Sequence, residues 1–528
     1  MHLNESVKVP LPEHKIAYKT VSGKRYVYYT VACYRNEQGK PTSDRVSIGR
    51  LDEKTGLLIP NRNYYEVYLK QTSPVQGGIR NYGVYYAFSH ICEELGVTKI
   101  LKKLFPESYK DILALSQYML TQGNTMYYLE DYTEEHVTPV HGIMDDKKCS
   151  KIFSSIRAED VLLFFREWIK HRKNDEYIAY DVTSISTYSK NITESEWGYN
   201  RDKEKLPQIN LGMYYGESSS LPLYYRIYPG SISDKAHLKY MVSDNDLIDA
   251  KSLRYVMDRG FYSAENLKYL IENGHRFIIA LPQRLVYTKE LISKHGKEIV
   301  NASEYMISKN LFAKAYESYA LGFRMKIHLY YDSFKAAQES EALFELIERQ
   351  ENDLKAMEEP PEEKYHYDRF FYINRSKDGK LGFRKNHKAI DEALEQCGFF
   401  MIAETDFKKT SAEILEIYRN RDVIEKSFDN LKNEIDIKRT YAHSSETLKG
   451  KIFVAFISLI VRSYMLNTLK DFKKSTNFTQ KKIFTELDKI KVLELSPKSK
   501  PQLLNPLTKT QRELLCALNI SESDLCRG

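Results

Sequence analysis

The pattern of hydrophobic and polar positions divides the first third of the chain into two regions. Residues 15 to about 70 are rich in β-branched and aromatic residues separated by turn-forming sequences, which predicts short strands. From about 80 to 172 apolar residues recur at helical spacing, and Gly96 is placed to end the first helix. We therefore predict a β-rich N-terminal domain (1–75) followed by a helical region (76–172).

The next region, 173–283, has the most regular pattern. Three apolar segments with strand character are followed by a helix, a strand, a second helix and a fifth strand. This is the element order of a ribonuclease-H-like core, and it predicts a mixed five-stranded sheet covered by helices on both faces. The predicted strands are 177–186, 208–216, 221–230, 252–260 and 276–282, with helices at about 235–249 and 264–273.

Residues 284–397 are predicted to be a β-rich insertion that interrupts this core. Strand-like segments alternate there with an acidic helix, and the core pattern then resumes as a strand at 398–405. The fold class expected is α/β, with helical regions before and after the core. The second part of the core is predicted at 398–470, with one helix from Ser411 to about Ile435 and another from about Glu446, and a basic tail at 471–528 could mediate dimerisation or contact DNA.

The predicted helix that starts at Ser411 has a well-marked beginning. Thr410 and Glu413 fit a capping box, just before apolar residues begin to recur every three or four positions. A helical wheel places a narrow second stripe of polar residues beside the apolar one. Arg421 and Glu425 of this stripe could also form an ordinary i,i+4 surface pair that contributes about 0.3 kcal/mol. The members of this second stripe are Tyr418, Arg421, Glu425 and Lys432.

Composition and charge add one feature to this picture. The chain has 528 residues, of which 42% are hydrophobic and 29% charged, as in ordinary globular proteins. The net charge is +7, but residues 335–363 hold ten acidic and three basic residues, so the rest of the chain carries +14. A positive field of this kind suits a polyanionic partner.

Other sequence signals exclude several classes of protein. The six cysteines are scattered without a C-x-x-C pair, which argues against a zinc site or a disulfide framework. The N-terminus is polar, and the longest apolar run, Ile452 to Val461, is short of the ~20 residues that span a bilayer. We therefore expect a cytoplasmic protein with no membrane partner.

Two aspartates stand out in the predicted core. Asp181 interrupts an apolar strand, where a lone carboxylate is costly unless it is paired or binds a metal. Asp258 ends the fourth predicted strand, at the sheet edge where open α/β proteins place their sites. With Glu425 they form a set of carboxylates without His or Cys, which favours Mg²⁺ or Mn²⁺. Two such ions about 4 Å apart suit phosphodiester chemistry.

Three sequence motifs of this chain resemble those of a known protein family. The segment from Tyr418 to Lys432, YRNRDVIEKSFDNLK, matches the Y-x2-R-x3-E-x6-K signature of the insertion sequence 4 family of bacterial DDE transposases. YDVTS and MDRGFYS resemble the family's first and second aspartate motifs, in the right order. SIGRLDEKTGLLIPN in the N-terminal region is similar to the subgroup named after insertion sequence 1634.

The resemblance implies a role for each matching residue. Asp181, Asp258 and Glu425 would be catalytic and would bind two metal ions. Four residues would bind DNA: Tyr418, Arg421, Lys432 and Arg259. Some family members flip a base onto aromatic side chains, for which the candidates are Trp197, Phe261 and Tyr262, with core packing as the alternative for each.

The resemblance also implies a function. The expected activity is cut-and-paste transposition, in which terminal inverted repeats are bound by a homodimer, cleaved, and joined to target DNA in the bacterial nucleoid. The helical region 76–172 is a candidate for binding the DNA ends. Two alternatives remain open: a domesticated copy that binds DNA without cutting it, and a ribonuclease-H-like nuclease that does not transfer strands.

Overall fold

The N-terminal region forms a small antiparallel sheet of four strands. The structure is a computed structural model that describes residues 7–35, 39–61, 63–70, 78–140, 142–171, 176–300, 302–357, 359, 366–375, 381–494 and 501–522. Val27, Ile48 and Leu58 are fully buried between this sheet and the turn that follows it. The predicted strands are confirmed as β1 (Ile16–Val21), β2 (Lys24–Arg35), β3 (Pro41–Leu51) and β4 (Leu58–Pro60).

The helical region follows a short strand, β5 (Gly78–Asn81). Gly96 adopts a φ of 70° just after the first helix, a left-handed conformation that costs glycine little, so its predicted role in ending this helix is confirmed. The helices are α1 (Gly83–Glu94), α2 (Val97–Leu104), α3 (Tyr109–Gln122), α4 (Leu129–Glu135), α5 (Asp146–Ser155) and α6 (Ala158–Trp168).

The core shows the predicted order of strands and helices. The first three strands pair antiparallel, whereas the fourth pairs parallel with the first and with the fifth. Helices cover both faces: Tyr180 bonds to His237 on one face, and Tyr177 packs near Ile414 on the other. The elements are β6 (Tyr177–Thr187), β7 (Gln208–Gly216), β8 (Pro222–Pro229), α7 (Asp234–Ser243), β9 (Arg254–Met257), α8 (Ala264–Glu272) and β10 (Arg276–Leu281).

The prediction of a five-stranded sheet is wrong in its count. Four strands from the predicted insertion and from the segment after it continue the core sheet beyond β10, and the two-residue strand Arg439–Thr440 pairs with β6, so the sheet has ten strands in the part of the chain that the structure describes. The added elements are α9 (Val286–Ile299), which packs on three of the new strands, and the strands β11 (Met306–Ser308), β12 (Leu311–Ser318) and β13 (Met325–Asp332).

The rest of the predicted insertion forms a separate apolar cluster around Ile347, Leu354 and Phe371. Its elements are α10 (Ser333–Ala356), β14 (Phe371–Arg375), β15 (Leu381–Lys385) and α11 (His387–Leu394). The core sheet then resumes with β16 (Phe399–Glu404), which lies between β10 and β13.

The predicted helix from Ser411 to about Ile435 is interrupted. It consists of α12 (Ser411–Asn420), a turn at Arg421, α13 (Asp422–Asp429) and a π-helical turn (Asn430–Glu434). A last two-residue strand, β17 (Arg439–Thr440), follows and pairs parallel with the end of β6.

The C-terminal region folds back on the helical region instead of extending as a tail. The predicted helix from Glu446 ends before the lysine-rich segment, and a strand that follows pairs with β5. The elements are α14 (Ser445–Thr468), α15 (Lys470–Thr476), α16 (Gln480–Asp488), β18 (Lys491–Glu494), β19 (Gln502–Leu503) and α17 (Lys509–Ala517).

Helix α14 is the central helix of the C-terminal half. Among the described helices it alone is long and apolar enough to cross a membrane, but 83% of its most apolar window is buried inside the protein. It packs against α3 and α5. Across the α3–α14 contact the Ser116 hydroxyl donates to the Val454 carbonyl oxygen, and the Ser458 hydroxyl donates to the Ser116 carbonyl oxygen. Its composition is therefore accounted for by its position in the core.

One lysine of α14, Lys451, is 5% exposed, and burial lowers its pKa from the ordinary 10.5 to about 8. Between these two pH values the folded state binds fewer protons than the unfolded state, so stability rises with pH across this window. At pH 7 the buried charge costs up to about 3 kcal/mol. We expect Lys451→Met to raise the thermal midpoint at pH 7 and to lose this advantage as the pH rises above 8.

The control is Lys449→Met, on the same helix with a side chain 49% exposed. Because Lys449 is paired with Glu194 at 2.7 Å, we expect its replacement to leave the free energy of unfolding unchanged or to lower it by up to about 1 kcal/mol. Equal midpoints for the two variants at pH 7, measured by thermal scans, would show that burial of Lys451 carries no cost.

Candidate active site

Two aspartates lie side by side on adjacent parallel strands. Tyr177 of β6 pairs with Arg254 of β9, and Ala179 with Val256. Continuing this register brings Asp258, which directly follows β9, level with Asp181 in the middle of β6. The prediction that these residues occupy neighbouring strands is therefore confirmed.

Asp181 is held in a largely buried position. Its side chain is 18% exposed, and its Oδ1 accepts a hydrogen bond from the Val182 backbone N–H at 2.8 Å. Burial raises the pKa of Asp181 to about 6, against the opposing effect of the nearby cations Arg201 and Arg421. Even beside these two cations the pKa of Asp181 lies above its ordinary value, so a further cation at the site would favour the ionised carboxylate.

Asp258 begins a short 3₁₀ helix, Arg259–Phe261. Its Oδ1 accepts a hydrogen bond from the Arg259 backbone N–H at 2.7 Å and another from the Tyr418 hydroxyl at 3.2 Å. Burial, together with the negative charge of Asp258, raises the pKa of Tyr418 to about 12. Tyr418 is therefore a protonated donor at neutral pH.

The helix that carries Tyr418 is fixed over the sheet. The predicted capping box is confirmed, since the Thr410 hydroxyl accepts from the Glu413 N–H and the Glu413 carboxylate accepts from the Thr410 N–H. Ile414 and Leu415 of α12 are buried against β9, β10 and β12, and α13 continues over β6 and β7. This path carries the helical segment across the two strands that bear the aspartates.

Arg421 lies at the turn between α12 and α13, among the three carboxylates. Its side chain is 13% exposed, pairs with Glu425 at 2.9 Å and lies over the Tyr418 ring at 5.6 Å. Burial lowers the pKa of Arg421, but Tyr418 and the carboxylates of Asp258, Glu425 and Asp181 outweigh it and hold the pKa above its ordinary value. One guanidinium thus interacts with all three predicted metal ligands.

The carboxylates do not form a ready metal cage. In the part of the chain that the structure describes, no group of three His, Cys, Asp or Glu residues is close enough together to hold a metal ion. The Glu425 side chain is 53% exposed and is paired with Arg421. Asp181, Asp258 and Glu425 therefore each interact with Arg421 without forming a three-carboxylate cluster.

The other predicted DNA-binding residues lie in different places. Lys432 is 8% exposed, and its Nζ pairs with Asp202 at 2.6 Å. Arg259 is exposed beside Asp258, close enough to influence the pKa of Tyr418.

The three candidates for base flipping separate into one exposed and two buried residues. Trp197 is 67% exposed. Phe261 is 2% exposed and packs against Tyr180 at 4.8 Å between ring centroids, and the hydroxyl of Tyr262 bonds to that of Tyr287 at 2.9 Å. In this structure Phe261 and Tyr262 are core residues, so of the three only Trp197 presents its ring to solvent.

Sequence reasoning missed one cation of the site, Arg201. It lies in the connection between β6 and β7, 4.0 Å from Asp181 and 2.5 Å from Asp234. Its segment, NRDKEK, has the composition of an ordinary solvated loop. Nothing in that pattern distinguishes Arg201, because its position depends on how the loop folds back over the strand.

Comparison with known proteins agrees with the predicted class. Residues 172–461, more than half of the chain, match the family model described as transposase DDE domain, and the chain therefore belongs to this family. No curated protein matches the chain. A solved structure that it resembles is the cryo-EM structure of piggyBac transposase in a synaptic complex with hairpin DNA, at 10% identity. That match covers 72% of this chain and 69% of the other, with a TM-score of 0.36.

Proposed function

We propose that this DDE transposase cuts DNA at the ends of its own insertion sequence and joins the freed ends to target DNA. The observation that carries the proposal is the pair of aspartates, Asp181 and Asp258, in register under a helical segment that presents Tyr418, Arg421 and Glu425. The strand order β8-β7-β6-β9-β10 supports a ribonuclease-H-like core. The Y-x2-R-x3-E-x6-K signature supports membership of the insertion sequence 4 family, in the subgroup similar to insertion sequence 1634.

The metal would be held by Asp181, Asp258 and Glu425. Transposase DDE domains generally use divalent metal ions, and an all-carboxylate donor set fits Mg²⁺ or Mn²⁺ by its chemistry. Two such ions would stabilise the charge that develops on the attacking and leaving oxygens. Arg421 already interacts with all three carboxylates and partly neutralises their charge. A bound metal ion would take over part of this role of the Arg421 guanidinium.

Tyr418 and Arg421 then have roles of their own. The Tyr418 hydroxyl holds Oδ1 of Asp258, which orients that carboxylate. The Nε of Arg421 is buried and makes no hydrogen bond with any residue that the structure describes, so it is available to a phosphate oxygen. Tyr418 would thus orient a metal-binding carboxylate, and Arg421 would hold the DNA beside it.

The partners proposed are double-stranded DNA at the terminal inverted repeats, target DNA and a second copy of the chain. Away from the acidic 335–363 segment the chain carries +14, which supports a polyanionic partner. We propose that the helical region 76–172 binds the ends and that the protein acts in the cytoplasm at the nucleoid.

A direct assay tests this function. The protein is incubated with Mg²⁺, a linear fragment that carries the DNA ends flanking its gene, and a supercoiled target plasmid. Joined products are expected. Nicks without joining would indicate a nuclease, and a mobility shift without cleavage would indicate a DNA-binding derivative, and either result would contradict the proposal.

A further inference from the structure

The connection between β6 and β7 places a second arginine at the candidate site. Arg201 hydrogen bonds to Asp234 at 2.5 Å, and its Nη2 lies 4.0 Å from Oδ1 of Asp181. Its side chain is 29% exposed. Arg201 therefore stands beside the most deeply buried carboxylate of the triad, anchored from the start of α7.

Part of the Arg201 guanidinium has no partner. Its Nη1 is buried, yet makes no hydrogen bond with any residue in the described part of the chain. The same holds for Nε of Arg421. A buried N–H group without an acceptor costs about 1–3 kcal/mol, so an acceptor from outside the chain, whether water or a phosphate oxygen, would stabilise both groups.

The loop that carries Arg201 is held in place at several points. Asn200 donates to the Ser186 hydroxyl at 3.1 Å and accepts from the Asp202 backbone N–H at 2.9 Å. Asp202 in turn pairs with Lys432, and Glu204 pairs with Arg439 at 2.8 Å. Lys432, in the π-helical turn after α13, and Arg439, at the start of β17, thus hold the loop that carries Arg201 in place.

We propose that Arg201 binds a phosphate of the DNA strand that enters beside Asp181. This rests on the proposed function, because it assumes that DNA is the substrate of this site. A guanidinium can hold Asp234 through one nitrogen and donate to a phosphate oxygen through another, since its donors are spread over a rigid plane. Arg201 and Arg421 would then both contact the DNA backbone near Asp181.

The test measures binding of a short fluorescein-labelled duplex without divalent metal, so that no strand is cut. Fluorescence anisotropy gives the dissociation constant over a range of salt concentrations. We expect Arg201→Gln to weaken binding about tenfold and to reduce the slope of log K against log salt by about 0.9, the value for one lost phosphate contact. Arg201→Lys should retain the wild-type slope, because it retains the charge.

Arg226→Gln is the matched control. Arg226 pairs with Asp244 as Arg201 pairs with Asp234, and its side chain is 34% exposed, but it lies on β8, outside the site. The inference is overturned if Arg201→Gln behaves like Arg226→Gln, or if Arg201→Lys loses as much slope as Arg201→Gln. The proposed function fails separately, by absence of joined products from the wild-type protein, whereas this test measures an equilibrium without cleavage.

Discussion

Replacing Asp258 by Asn is expected to abolish cleavage of the transposon ends. Metal ions at such sites supply several kcal/mol of charge stabilisation, so loss of a ligand should lower the rate by at least about a thousandfold. Asn is similar in size, and its carbonyl oxygen can still accept from the Arg259 N–H and from the Tyr418 hydroxyl. The variant therefore removes the charge and keeps the local structure.

The measurement is a time course of strand cleavage with Mg²⁺, alongside a mobility shift for DNA binding and a thermal scan. Asp249→Asn serves as the control, because Asp249 is exposed and its φ of 57° is one that Asn also tolerates. Both variants should melt and bind DNA like the wild type. Normal cleavage by Asp258→Asn would remove Asp258 from the site.

The order of elements in the core could be predicted because each element has a local pattern. β7 has the predicted bounds, and α12 begins at the predicted Ser411, where a capping box marks the start. The number of strands in the sheet could not be predicted. β12 and β13 have a strand pattern, but which edge they join is determined by tertiary packing against β16.

The candidate site, like the fold, could be predicted in part from the sequence. Asp181 and Asp258 were found because an acidic residue is unusual in an apolar strand and at its end, and the parallel register then brings them together. The helical wheel placed Lys432 in one stripe with Arg421, but the helix turns at Arg421 and becomes π-helical at Asn430, so Lys432 points to Asp202 instead. A periodicity of 3.6 residues cannot anticipate such a change of phase.

Glu425 is the residue for which the two interpretations differ most, and Glu425→Gln separates them. As a member of an i,i+4 surface pair with Arg421 it would contribute about 0.3–0.5 kcal/mol to stability and nothing to catalysis. As a metal ligand it would be needed for cleavage. We expect Glu425→Gln to leave the thermal midpoint unchanged and to lower the cleavage rate by about a thousandfold or more.

Because the Glu425 side chain is exposed, its effect on cleavage can be measured separately from its effect on stability. A side chain that is 53% exposed and paired with one arginine can lose its charge without disturbing the core, so any loss of cleavage reports on chemistry. Glu416→Gln, at an exposed position of α12, is the matched control for the loss of one negative charge from the same helical segment. If Glu425→Gln and Glu416→Gln cleave equally well, Glu425 is only a surface partner of Arg421. In that case the two aspartates must recruit their third ligand from another part of the chain.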